Sequence, residues 1–330
     1  MSRLALIPLL AALTFPSLAA APDPTPATPV AASPAVPAET DLVGAWCDYL
    51  GARLRSVSTA SCRAQNFVAA GVRTVQGNAL VLRDIAASGA DTPSTEARRI
   101  LVIGGIHGDE LTSISTVFRW LDWVEQADAA RYQWRMIPVA NPDGLMARPS
   151  TRVNGNGVDL NRNFQTPDWE QNAQKYWVKR TRRDPRRNPG KSAGSETETR
   201  WLQAQIEEFR PDLIISVHAP YNLLDYDGPV PQPMRFGRLS LNRLGVYPGS
   251  MGNYCGVFKQ IPVITIELPN ATAMPSQATP ARWPSARKSA ISPVPDWLTT
   301  KAVLAVVVAV NISTTATTSP CPSPSKGEGT

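Results

Sequence analysis

The chain has 330 residues, a formal net charge of +6 and 43% hydrophobic residues, with four cysteines and two histidines. That length suffices for one α/β domain with a full core, and no apolar run reaches the roughly 20 residues that a membrane-spanning helix needs. The positive charge is unevenly placed, so its excess does not by itself mark a nucleic-acid-binding protein.

Met1-Ser-Arg3, the mostly apolar Leu4 to Leu13, and small residues at Ser17 and Ala19 read as a secretory signal peptide over 1–19. Cleavage is expected after Ala19 rather than Ala21, where Pro22 would follow. Residues 20–40 are dominated by proline and alanine and read as an extended linker. The globular domain is expected over 41–275. A periplasmic or secreted location follows, with no transmembrane anchor once the leader is removed. In such an oxidising compartment Cys47 and Cys62, which flank a short segment, can pair. Cys255 and Cys321 have no evident partner.

Arg99 to Ile106 predicts a strand. Leu111 to Gln126 predicts a helix, with Val117, Phe118, Leu121 and Val124 close to the 3.6-residue period. Tyr132 to Val139 predicts a second strand, and Asn141-Pro-Asp-Gly144 is turn chemistry. Lys179, Arg180, Arg182, Arg183, Arg186 and Arg187 form a basic run broken by Asp184 and Pro185. It lacks the aromatic interleaving of a single-strand-binding groove and reads as a solvated loop or a surface drawn to an anionic cell-wall polymer, so no nucleic-acid partner is expected. Ser195 is placed to cap a helix, with Glu198 at the capping-box position and Trp201, Leu202 and Ile206 behind it. Leu213 to Val217 and Val263 to Leu268 predict further strands. Strands alternating with helices predict a mainly parallel mixed α/β sheet flanked by helices. After Pro269 the chain turns to Ala, Pro, Ser and Thr, and residues 276–330 are expected to form an atypical, disordered tail.

Both histidines end apolar, β-branched runs. His107 closes Leu101-Val-Ile-Gly-Gly-Ile-His, and His218 closes Asp212-Leu-Ile-Ile-Ser-Val-His. A lone histidine after a strand is ordinarily a satisfied polar residue. Two on the same pattern, at the strand ends where open α/β sheets place their sites, suggest ligands. Glu110 follows His107 by three residues, so one turn of chain can aim both side chains at one ion. Two imidazoles and a carboxylate make an open three-ligand zinc site. Between the strands, Arg152-Val-Asn-Gly-Asn-Gly-Val-Asp-Leu-Asn-Arg-Asn-Phe164 offers guanidinium and amide groups suited to a carboxylate.

Taken in order, His107-Gly-Asp-Glu110, Asn141-Pro-Asp-Gly144, Gly157-Val-Asp-Leu-Asn-Arg-Asn163, Ser216-Val-His218 and Thr265-Ile-Glu267 resemble the zinc carboxypeptidase family over roughly residues 45–270. Tyr226-Asp-Gly-Pro229, Tyr247-Pro-Gly-Ser250 and Ile261 to Pro269 look most like its bacterial murein peptide amidases. The resemblance implies one zinc ion per chain, bound by His107, Glu110 and His218. It implies Glu267 as general base and then proton donor, and Arg152 as the group that stabilises the oxyanion. Asn161 and Arg162 would hold a substrate carboxylate, Asp159 would support His107, and Tyr247 or Tyr254 would match the family's mobile tyrosine. The implied partner is a peptide, with cell-wall muropeptide favoured. Competing expectations are a general peptide carboxypeptidase, an N-acyl amino acid deacylase and a non-catalytic wall-peptide-binding protein. The family closes with a helix after the Glu-Leu-Pro segment, and from Arg282 onward this chain departs from that pattern.

Overall fold

A computed structural model describes residues 39–88, 97–125, 129–229, 234–236 and 239–273. The expected signal peptide, nearly all of the linker and the tail over 276–330 lie outside the described residues. Helix α1 (Glu39–Arg53) begins two residues inside the stretch expected as linker.

The strands are β1 (Val68–Arg73), β2 (Ala79–Ile85), β3 (Arg99–Ile103), β4 (Gln133–Ile137), β5 (Leu213–His218), β6 (Leu223–Asp227), β7 (Arg235–Phe236), β8 (Leu239–Ser240) and β9 (Val263–Glu267). Seven of them form one sheet in the order β1-β2-β4-β3-β5-β9-β6, and β7 pairs with β8 apart from it. The central β4-β3-β5-β9 strands are parallel, and antiparallel pairs stand at both edges. This is the mixed, helix-flanked α/β sheet expected from the alternation of strand and helix patterns.

The core follows from the two-residue period of the strands. Ile100 and Val102 of β3, with Ile215 and Val217 of β5, pack on one face with α1 and with α3 (Leu111–Leu121). Leu101 and Ile103 of β3, with Ile214 of β5, pack on the other with Leu202 and Ile206 of α6 (Thr197–Phe209). Covering both faces explains why these strands read as continuous apolar runs. Burying each such side chain stabilises the fold by about 1.5–3 kcal/mol. Cys47 and Cys62 are joined in a disulfide that ties α1 to α2 (Thr59–Arg63), as expected, while Cys255 is a buried free thiol. Among the described residues no helix is long and apolar enough to cross a membrane.

Three local readings are corrected. Asn141-Pro-Asp-Gly144 is more than a turn: it opens the short helix α4 (Pro142–Met146), where the Asn141 side chain accepts from Gly144 N at 2.9 Å and Pro142 occupies the first turn. Ser195 does not cap α6. Its hydroxyl is taken by the Glu196 carboxylate at 2.5 Å and by Asn163 Nδ2 at 3.1 Å, and Glu196 becomes the residue before the helix. The helix expected to reach Gln126 ends at Leu121 and passes into turns.

Candidate metal centre and its cleft

His107 stands in the turn between β3 and α3, Glu110 immediately precedes α3, and His218 is the last residue of β5. The turn depends on glycine at two points. Gly105 has φ +58°, and a Cβ on Gly108 would lie 2.2 Å from Gly144 C, so the ligand turn and α4 touch through bare backbone.

Those elements bring the three side chains together while they are buried. His107 Nδ1 lies 2.8 Å from Glu110 Oε1. His218 Nδ1 lies 3.1 Å from Glu110 Oε2 and 3.2 Å from His107 Nδ1. On its far side His107 Nε2 meets Asp159 Oδ1 at 3.2 Å, and Ser216 Oγ lies 2.9 Å from His218 Nε2. A carboxylate only accepts, so with the His107 proton on Nε2 toward Asp159, Nδ1 would offer its lone pair to a cation held beside Glu110. The donor set therefore fits a cation. Ligands about 2.0–2.1 Å from a tetrahedral zinc stand roughly 3.4 Å apart, close to the separations found here. Among the described residues, His107, Glu110 and His218 are the group whose ligand atoms lie within 4.8 Å of one another.

The electrostatics are those of a tightly paired cluster. Burial alone would raise the Glu110 carboxyl, but His107 and His218 outweigh it and hold it well below the usual carboxylate range. Burial would likewise raise Asp159, and the Arg152 guanidinium with His107 drives it far below its ordinary value. Burial and Arg152 push His107 down, yet Glu110 and Asp159 leave it raised overall.

The 152–163 loop supplies the next ring of groups. Arg152 Nε donates to Asp159 Oδ2 at 3.0 Å, and its Nη1 reaches Glu110 Oε1 at 3.5 Å. Asn161 Oδ1 accepts from Met251 N at 2.8 Å, which leaves its amide nitrogen for the cleft. Arg162 is buried, with its guanidinium 4.5 Å over the Tyr247 ring and its Nε without a hydrogen-bond partner. Glu267 closes β9 beside His218, its register partner on β5, and Tyr221 N lies 3.4 Å from its Oε2. Burial, reinforced by the negative charge of Glu110, raises the Glu267 carboxyl, and His218 offsets part of the rise.

These groups share one cleft of about 160 Å³, lined by His107, His218, Arg152, Asn161, Arg162 and Glu267 together with Tyr247. Tyr247 donates its hydroxyl to Leu244 O at 2.7 Å. The expectation for Tyr254 is corrected. Its ring packs on Phe164 in the core at 5.6 Å and its hydroxyl meets Glu207 at 3.2 Å, so it does not reach the cleft. Sequence reasoning missed Arg187, Tyr221, Asp225 and Asp227, which also line it. Arg187 was hidden in the basic run, Asp227 lay in a segment noted for its family likeness rather than for its charge, and Asp225 stood just before it.

The zinc carboxypeptidase family model matches residues 63–228. Murein peptide amidase A from Vibrio campbellii is 33% identical over 182 residues, 53% of this chain and 71% of that protein. Murein peptide amidase A from Escherichia coli K12 is 32% identical over 130 residues, 39% of this chain, which spans about half (52%) of that relative's length. The crystal structure of thrombin activatable fibrinolysis inhibitor is similar in fold, with a TM-score of 0.50 at 14% identity over 71% of this chain and 66% of that one. With the family match extending over half of its length and the ligand triad assembled, the chain belongs to the zinc carboxypeptidase family and is a zinc-dependent hydrolase.

Proposed function

We propose that the protein is an exported zinc metallocarboxypeptidase that hydrolyses a peptide bond next to a carboxylate-bearing residue, acting on murein peptides. One observation carries this reading: the cleft lined by His107 and His218, which cluster with Glu110, is lined also by Glu267 and the buried, incompletely partnered Arg162. The similarity to murein peptide amidase A supports the substrate class. The Cys47–Cys62 disulfide and the leader pattern before residue 20 support export.

Zinc held by His107, Glu110 and His218 would polarise the scissile carbonyl and acidify a water. Glu267 takes the water's proton and delivers it to the leaving nitrogen, a task suited to a buried carboxyl whose affinity for the proton is raised. Arg152, fixed by Asp159, faces the developing oxyanion and stabilises the transition state more than the ground state. Asn161 and Arg162 hold the substrate carboxylate and so set which bond reaches Glu267.

Incubation with γ-D-glutamyl-diaminopimelate peptides and with hippuryl peptides, each with and without chelator, tests the proposal. Chelator-sensitive cleavage should favour the wall peptide. Amidating the recognised carboxyl should lower kcat/KM about 10- to 100-fold, the scale of a lost charge-assisted hydrogen bond. Arg162→Ala should erase most of that difference. Equal rates on free and amidated substrates would refute carboxylate recognition and favour the deacylase reading.

A further inference from the structure

The 152–163 loop forms one wall of the cleft, through Arg152, Asn161 and Arg162. A turn over 154–158 separates Arg152 from Asp159, its partner at 3.0 Å. Asn154 closes that turn. Its backbone N donates to Val158 O at 2.9 Å, and its Oδ1 accepts from Asn156 N and Val158 N, each at 3.1 Å. An amide nitrogen has two hydrogens to give. Asn154 Nδ2 finds two carboxylates to receive them, Glu196 Oε2 at 2.9 Å and Glu198 Oε2 at 3.1 Å. Glu196 Oε2 takes a second donor from the same turn, Asn156 Nδ2 at 2.8 Å. Its backbone N donates to Asn163 Oδ1 at 3.1 Å, at the end of the loop. Glu196 therefore grips the loop at three residues while it lies buried and outside the cleft. Burial would raise its carboxyl, yet the Ser195, Asn154 and Asn156 donors hold it below the usual range. The helix that Glu196 precedes, α6, is a firm reference, since Trp201, Leu202 and Ile206 pack it on the sheet.

We propose that Glu196 is a positioning residue: it ties the 154–158 turn to the start of α6 and so sets where the Arg152 guanidinium stands. The inference rests on the oxyanion role given to Arg152 above. Both groups that Glu196 Oε2 receives are neutral amides, so the tie requires an acceptor oxygen rather than a negative charge.

The test compares Glu196→Ala and Glu196→Gln in the zinc-loaded full chain, on whichever of the wall and hippuryl peptides the wild type cleaves. Glu196→Ala should lower kcat about 10- to 100-fold, the scale of a misplaced catalytic group, with zinc still near one per chain. The backbone bond to Asn163 survives in both variants, so Asn161 and Arg162 should stay in place and KM should change less than about threefold. Glu196→Gln, which keeps an oxygen toward both asparagines, should recover to within about threefold of the wild type. In an Arg152→Ala background, Glu196→Ala should cost less than about twofold more, because the two residues act as one unit. Wild-type kcat in the folded alanine variant, a glutamine variant no better than alanine, or losses that multiply in the double variant would each overturn the proposal. If Glu196→Ala fails to fold, Asn154→Ser removes the same hydrogen bond from the other side and should show the same loss and the same non-additivity. If the wild type cleaves neither peptide, the substrate reading fails and hydrogen exchange decides the tie. Glu196→Ala should then speed amide exchange over residues 154–162 about tenfold or more while β3 and β5 stay protected, and unchanged exchange there would sink it.

Discussion

The two walls of the cleft are built on different terms. Along the 152–163 loop the charges of Asp159 and Arg152 are answered from within the protein: Asp159 accepts from His107, Asn161 and Arg152, and Arg152 reaches Glu110 as well. Along β6, Asp227 has no such donor among the described residues. The first wall is fixed before substrate arrives, which is what a reacting centre requires. The second keeps an unmet need that a ligand can fill, which is how a site distinguishes one side chain from another. Arg162 lies between these cases, stacked and buried but with Nε free.

The comparison can be broken most strongly at the pre-paired wall. His218→Ala removes one of three ligands from a centre whose remaining groups are already committed, so zinc should fall from one per chain to below about a tenth, with activity lost. Full occupancy by metal analysis in that variant would show that other groups bind the ion. Glu267→Gln probes the same centre from β9 without touching the ligands. Zinc content should stay near one per chain while kcat drops on the order of a hundredfold or more. Turnover within a few fold of wild type would mean that another group carries the proton.

The smallest effect sharpens the contrast from outside the cleft. Glu198 is buried near the start of α6, its Oε2 accepts from Asn154 at 3.1 Å, and its Oε1 has no partner. Burial raises its carboxyl from an ordinary 4.5 to about 6. The folded state therefore holds the proton more tightly than the unfolded chain. This contribution to stability is fully present below about 4.5, declines as pH rises through about 6, and is absent above it. Glu198→Gln should raise the melting temperature by a few degrees at pH 7.5, with at most about 2 kcal/mol at stake, and change little at pH 4. Equal melting curves at pH 7.5 would show that the ionised carboxylate is satisfied after all.

Much of the site was legible because its parts are local. His107 and Glu110 share one turn, and each histidine closes an apolar run long enough to identify a buried strand. Asp159, Asn161 and Arg162 stood out as a dense group in a glycine-rich loop. The convergence of His107 and His218 could be read only from their shared pattern, since no local signal joins residues 111 positions apart. What stayed hidden depends on packing. Tyr254 and Tyr247 are chemically alike in sequence, yet a π-helical turn over Gly252–Phe258 sends Tyr254 into the core against Phe164. Strand β1 went unread because an edge strand carries a mixed, partly exposed pattern, as its exposed Val68 and Val72 show. Ser195 failed as a cap because Asn163 and Glu196, distant or unremarkable in sequence, claim its hydroxyl.

The pairing of His218 with Glu267 across β5 and β9 has a further consequence. Adjacent strands stand about 4.8 Å apart, and paired residues face the same way. The gap between a metal ligand and the proton carrier is thus ruled by a backbone ladder rather than by side-chain choice. Sliding β9 by a single residue would turn Glu267 to the opposite side of the sheet and bring an apolar neighbour toward the centre. Intermediate spacings do not exist on such a ladder. The chemistry is quantised by the sheet, and whatever stabilises the β5–β9 register also sets the reach of the base.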